Sequence, residues 1–346
     1  MSLLICLLVL HCNMNQPFRL HAKRPLHLQR PAYFLLLVLL PVLFSNCHTA
    51  KQATGKAAAH PQHLLLRDEG RSQLSYEDLG NPANNWYLPV PAGRDLQLAG
   101  HGRVLLGTGY GYEEREIATG KLVAELNDFP GTVCARRLRN GNTLLAGINW
   151  QGKQGIVLIE AGARGEIKNM IVYPGFDYVR LVRQTVDGNF LVTAGKTVFE
   201  GRPDGSIVWQ AAITGSAKPN AWQALRLRNG NTLVSTGYAK NFQVFDRSGK
   251  LLDTISGPAA VNPHFFAGFQ VLANGNYAVT NWQGHGPSLG ASGVQVLEYT
   301  PAGKLAWSWK QDAAKHSSLQ GIIVLDGLDT QLLHAEDADG KLAPVK

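Results

Sequence analysis

Between residues 138 and 282, short apolar runs alternate with one recurring punctuation. "LRNGNTLLAG" (138–147), "TVDGNFLVTAG" (185–195), "LRNGNTLVSTG" (227–237) and "LANGNYAVTNW" (272–282) each place two apolar runs around Asn-Gly or Asp-Gly. The runs are of strand length. Asn-Gly and Asp-Gly supply the positive φ angles of a tight two-residue turn, so each segment predicts a β-hairpin. Weaker copies centre on Gly102 ("LAGHGRVLLGTG") and Gly327 ("IVLDGLDTQLL"). The six turn glycines, Gly102, Gly141, Gly188, Gly230, Gly275 and Gly327, follow one another at intervals of 39 to 52 residues, near the period of a propeller blade.

A second glycine turn follows in every unit: "IATGKLVAEL", "AGARGEIKNM", "RPDGSIVWQA", "DRSGKLLDTI", "TPAGKLAWSW" and "DADGKLAPV". Two hairpins per unit make four strands, a to d from the centre outward. The pattern predicts an all-β, six-bladed β-propeller of four-stranded antiparallel blades over residues 84–346. The last unit ends too soon after Gly340 for a full outer strand, whereas "NNWYLPVPAG" is strand-like and has no unit of its own. An N-terminal strand from that segment is expected to close the ring and leave no open edge.

The letters "NGNTLV" followed by "FDRSGKLL", with "GSIVW" and "GKLAW", resemble the bacterial pyrroloquinoline-quinone-like and arylsulfotransferase-like propeller superfamily. Such letters mark blades rather than activity. Were the chain an enzyme of the arylsulfotransferase type, the resemblance implies a catalytic histidine helped by cationic and polar residues at the channel mouth. His264, His285 or His316, with Arg180, could serve. The eight blades, tryptophan-docking repeats and vicinal disulfide common in quinone dehydrogenases are not evident, and no cofactor is indicated.

Composition adds a compartment. The 346 residues are 45% hydrophobic and 17% charged, which is globular, with a net charge of +8. Residues 1–47 hold Arg19, Lys23, Arg24 and Arg30 and no acid, so the remainder carries only +4, scattered, without the basic run that a phosphate backbone selects. Nucleic acid is therefore not an expected partner. "YFLLLVLLPVLF" (33–44) follows the basic residues and ends in "SNC", an order that looks like a bacterial lipoprotein signal with Cys47 as the acylated residue. Residues 1–47 are read as that signal, and residues 48–83, beginning "KQATGKAAAHPQH", as a tether between lipid and propeller. The expectation is a monomer held at the cell envelope, on its periplasmic or surface side. Cys134, in "TVCARRL", is read as a small buried side chain.

In a propeller the a–b and c–d turns share one face, and the d–a and b–c loops share the other. The second face receives the long insertions here, so a site is expected there. Two copies of NWQG, Asn149–Gly152 and Asn281–Gly284, open b–c loops, and Trp150 and Trp282 are candidates for ligand contact or for packing between blades. His285 lies in the fifth blade's long b–c loop, with His264 and His316 in neighbouring d–a loops. Imidazoles there suit an anion, a sugar-like ligand or a metal, although separate loops give no metal-ligand spacing and no metal is assigned. Arg180, Trp222 and Gln223 lie where other inner strands begin, and aromatic faces with planar polar groups suit carbohydrate or aromatic ligands.

No G-x-S-x-G elbow and no glycine-rich phosphate loop occurs. The reading is a noncatalytic binding or scaffold module for an envelope protein, glycan or small ligand. The alternative is an arylsulfotransferase-like enzyme using a channel-mouth histidine.

Overall fold

A computed structural model describes residues 60–345. Six four-stranded antiparallel sheets follow one another around a ring. The first blade runs from Gln97–Gly100 at the centre to Leu122–Leu126 at the rim, the second from Thr132–Arg137 to Ile167–Tyr173, and the third from Val182–Gln184 to Ile207–Ala212. The fourth runs from Gln223–Arg226 to Leu251–Ser256 and the fifth from Phe265–Val271 to Leu305–Trp309.

The sixth blade is shared between distant parts of the chain. Its inner strand is Leu319–Val324, and its other three, His63–Asp68, Gln73–Asp78 and Trp86–Pro89, come from the N-terminal side. "NNWYLPVPAG" thus contributes the outermost strand of the closing blade, as expected, but two more strands precede it. The expected tether over 48–83 is corrected accordingly, and the propeller begins by His63 rather than at residue 84. Leu64, Leu65, Leu66 and Leu74 are fully buried between blades, which explains why "HLLLRD" is an apolar run rather than a polar linker. Residues 48–59 and the signal segment with Cys47 lie outside the described residues. No helix among the described residues is long and apolar enough to cross a membrane.

The last glycine turn also has a different use. "DADGKLAPV" does not complete the sixth blade but forms a separate two-stranded ribbon, His334–Glu336 with Leu342–Pro344. The ribbon lies on the face of the a–b turns, bridged to the inner strands at Ala99–Leu333 and Val271–Lys341.

The repeated hairpins are a residue longer than the expected two-residue turn. In the second blade Gly141 donates its N–H to Leu138 O, and Leu138 donates to Asn142 O. Gly141 has φ +85°, while Asn140 is not among the residues with positive φ. This is a type I turn closed by a glycine bulge, in which only the glycine must be left-handed. The asparagine after the glycine binds the blade together: Asn142, Asn189 and Asn276 donate to Glu160, Glu200 and Glu298 on the third strands of their blades.

Glutamines join the inner strands of neighbouring blades. Gln97 donates to Arg137 O and accepts from Arg137 N; Gln223 does the same with Phe269, and Gln270 with Val324. Each side-chain amide takes the place of a peptide group, satisfying one buried donor and one buried acceptor.

Candidate functional site

The d–a and b–c loops surround a cavity of about 370 Å³ at the ring centre. Its floor is Arg67, which is 2% exposed and donates to the carbonyls of Gly107 (2.9 Å) and Pro91 (2.8 Å). Burial pushes this guanidinium down to about 10. Deeper in the channel, Arg183 makes a two-pronged contact with Asp95 at 2.8 and 2.9 Å, and Arg136 and Arg183 both reach Glu336 of the ribbon, at 2.6 and 2.9 Å. Gln97 also bonds His334 O, so ribbon and ion network together cover the far end of the channel. The cavity therefore opens on the loop face, the face the loop lengths pointed to.

One wall is aromatic. Trp222 and Phe265 meet edge to face at 5.4 Å, Phe265 meets Tyr238 at 4.7 Å and Trp282 at 5.1 Å, and Trp282 meets the His285 ring at 4.8 Å. These are favourable quadrupole arrangements and fix the ring planes. Beside this wall stand Arg94 and Arg180. Arg180 packs its guanidinium over Trp222 at 4.5 Å and Tyr178 at 4.8 Å. Burial and the like charge of Arg94 push Arg180 down to about 9, and burial lowers Arg94 as well. Glu69, at the rim, lies 2.8 Å from His285 Nδ1 and accepts from Trp282 Nε1 at 3.2 Å.

Of the residues expected at the site, Arg180, Trp222, Trp282 and His285 line the cavity. His264 stands behind the wall, its Nδ1 3.1 Å from Trp282 O. His316 is fully buried away from the cavity, with Nε2 2.7 Å from Glu77. Its two neighbours, Ser317 and Ser318, donate their N–H groups to Asp68, so the whole segment ties the closing strand to the N-terminal hairpin. Trp150 packs on Phe129 in the core between the first two blades, and Gln223 is one of the inter-strand amides. The two NWQG copies therefore part company: the first is structural, the second borders the cavity. No group of three or more His, Cys, Asp or Glu among the described residues could hold a metal ion.

Sequence reasoning missed Glu69, Arg94, Asn220 and Tyr238. A signal for Arg94 was present: Arg94, Arg180 and Trp222 each stand eight positions before the turn glycine of their blade (Gly102, Gly188, Gly230). In these three blades that register falls just before the inner strand, at its cavity end.

Cys134 is 2% exposed in the second blade's inner strand, and burial pushes its thiol up to about 12. Since only the thiolate reacts, iodoacetamide at about pH 8.5 should label less than a tenth of Cys134 in the native chain and nearly all of it in urea, by peptide mass mapping. Full native labelling would show that this strand opens.

The architecture is a six-bladed β-propeller. No family model matches the chain, and no curated protein matches it. Among solved structures it is similar to a protein of unknown function from Bacteroides caccae, with TM-score 0.60 and 23% identity over 76% of this chain and 98% of that one. A chain of a nidogen/laminin complex aligns with TM-score 0.50 and 13% identity, covering 75% of this chain and 97% of that one. Regucalcin from Agrobacterium tumefaciens, a calcium-binding protein, aligns with TM-score 0.49 and 14% identity, covering 75% and 95%. At these identities the likeness is one of fold.

Proposed function

We propose that the protein is a small-ligand-binding propeller held at a bacterial cell envelope. The observation that carries this is the cavity itself: about 370 Å³, open on one face, walled by rings locked edge to face, and bordered by arginines. Pockets of this size and lining are typical small-molecule sites, and a rigid aromatic wall loses little entropy on binding. The envelope location rests on the basic, apolar and cysteine order of residues 19–47. Its test is Cys47→Ala, which should abolish acyl labelling and release the chain from the membrane fraction.

The ligand reading is tested by thermal unfolding of the full chain against a metabolite collection. A ligand at a hundredfold excess over its Kd should raise the midpoint by roughly 5 °C. Ala92 is exposed at the cavity mouth, so Ala92→Trp should block the space without disturbing packing. A shift that survives Ala92→Trp places the ligand elsewhere and defeats the reading.

One observation favours a catalytic alternative of the arylsulfotransferase-like kind. Glu69 holds His285 through Nδ1, which leaves Nε2 as the nitrogen to act as base or nucleophile at the cavity mouth. His285→Ala should abolish turnover under that reading and leave binding within a few fold under the first.

A further inference from the structure

We infer that the cavity takes a small ring-bearing organic anion, its oxyanion seated between Arg94 and Arg180, its ring against the Trp222–Trp282 wall, and a hydroxyl or N–H of its own donated to Asn220. This rests on the cavity being a ligand site and goes further in naming the chemistry of the occupant.

Charge accounting around the channel leads to it. Arg183 and Arg136 are matched by Asp95 and Glu336, and Arg67 by backbone carbonyls. On the blades, Arg115, Arg137 and Arg226 are matched by Glu113, Glu114 and Glu200. Arg94 and Arg180 depart from this rule. Among the described residues neither forms an ion pair, and the carboxylate that acts on both, Glu69, has its oxygens on His285 and Trp282. Two half-buried guanidinium groups that disfavour each other's charge are costly to hold together, and the cost falls when an oxyanion arrives. At neutral pH an arginine keeps its proton, so the tension is relieved by an anion rather than by deprotonation. The planar guanidinium fork matches an oxyanion's paired oxygens.

Two orphaned atoms refine the choice. Arg180 Nε, a donor, and Asn220 Oδ1, an acceptor, are both buried without a hydrogen-bond partner, and both residues border the cavity. A buried polar atom left unpaired is destabilising, and a ligand bearing an acceptor and a donor satisfies both. At about 30 Å³ per water, the space within the cavity holds on the order of a dozen non-hydrogen atoms, enough for one ring and an acid group.

The test is calorimetric titration of the full chain with matched probes: 4-hydroxybenzoate against 4-hydroxybenzamide, glucuronate against glucose, and lactate as the ringless acid. At least one ring acid should bind about tenfold or more tighter than its neutral partner and than lactate, and which pair responds distinguishes an aromatic from a sugar ring. In the Arg94→Gln, Arg180→Gln double variant that preference should collapse to within about twofold, whereas Arg94→Lys, Arg180→Lys should keep the preference at reduced affinity. The lysine variant guards against loss of fold, and circular dichroism checks both. If the neutral probes bind as tightly as the acids and Ala92→Trp removes both, the cavity reading stands and the anion inference falls. If the acid preference survives the glutamine variant, the two arginines are not its source and the inference falls. If no probe binds, the anion inference falls, and the cavity reading is decided by the metabolite screen with Ala92→Trp.

Discussion

Asp95→Ala should cost about 3–5 kcal/mol of stability, the range seen when one partner of a buried ion pair is removed. The Asp95 carboxylate is buried in the channel and bonded by Arg183 at 2.8 and 2.9 Å, with Arg136 at 3.5 Å. Removing it leaves two buried guanidinium groups to share Glu336, the one carboxylate the ribbon brings them. Urea unfolding monitored by tryptophan fluorescence measures the loss, and a change below about 1 kcal/mol would mean that water enters the channel and screens the charges. Asp95→Asn should lie between, because the amide oxygen still accepts from Arg183 although the charge is gone.

A chain beginning at residue 84 should fail to fold, and one beginning at residue 60 should fold. The shorter chain loses Leu64, Leu65, Leu66 and Leu74, all fully buried. At about 2 kcal/mol each, these four amount to roughly 8 kcal/mol, comparable with the whole stability of an ordinary domain. It also strips the inner strand Leu319–Val324 of its only neighbour within the sixth blade, exposing an unpaired edge. Circular dichroism and size-exclusion chromatography distinguish the outcomes. A soluble, cooperatively unfolding 84–346 chain would show that five blades are self-sufficient.

The blades were legible because their hairpins are local. In blades two to five each Asn-Gly or Asp-Gly sits between strands that pair with each other, and in three of these four the asparagine after the glycine bonds the third strand. The sixth blade broke the pattern for a physical reason. Its first two strands lie at opposite ends of the chain, so the hairpin that would join them does not exist, and no glycine turn marks the start of His63–Asp68. The turn at Gly327 does form, with Leu328 N–H bonding Leu325 O, but it leads into the ribbon.

The site was legible by face rather than by partner. Trp222, Arg180, Trp282 and His285 followed from the loop topology. Whether an imidazole on that face meets the cavity, as His285 does, or the interior, as His316 does, depends on Glu69 and Glu77, which lie in the stretch read as tether. The ion network at the far end was invisible for a related reason. Arg136 and Arg183 share a register, five positions before the turn glycines of their blades, but their partners Asp95 and Glu336 stand on other segments outside it.

The shared blade also governs the order of events as the chain is made. Asp68 and Ser318, which bond across the closing seam, are 250 residues apart in sequence. While the chain is being synthesised, blades one to five can pair locally, but the hairpin 63–78 has no inner strand to rest on until the segment around Leu319 emerges. Leu65 and Leu74 can settle on the first blade early, whereas Leu64 and Leu66, which pack on the fifth blade and the closing strand, stay uncovered for that interval. Long-range closure of this kind is slow, so ring closure is the expected slow step of folding.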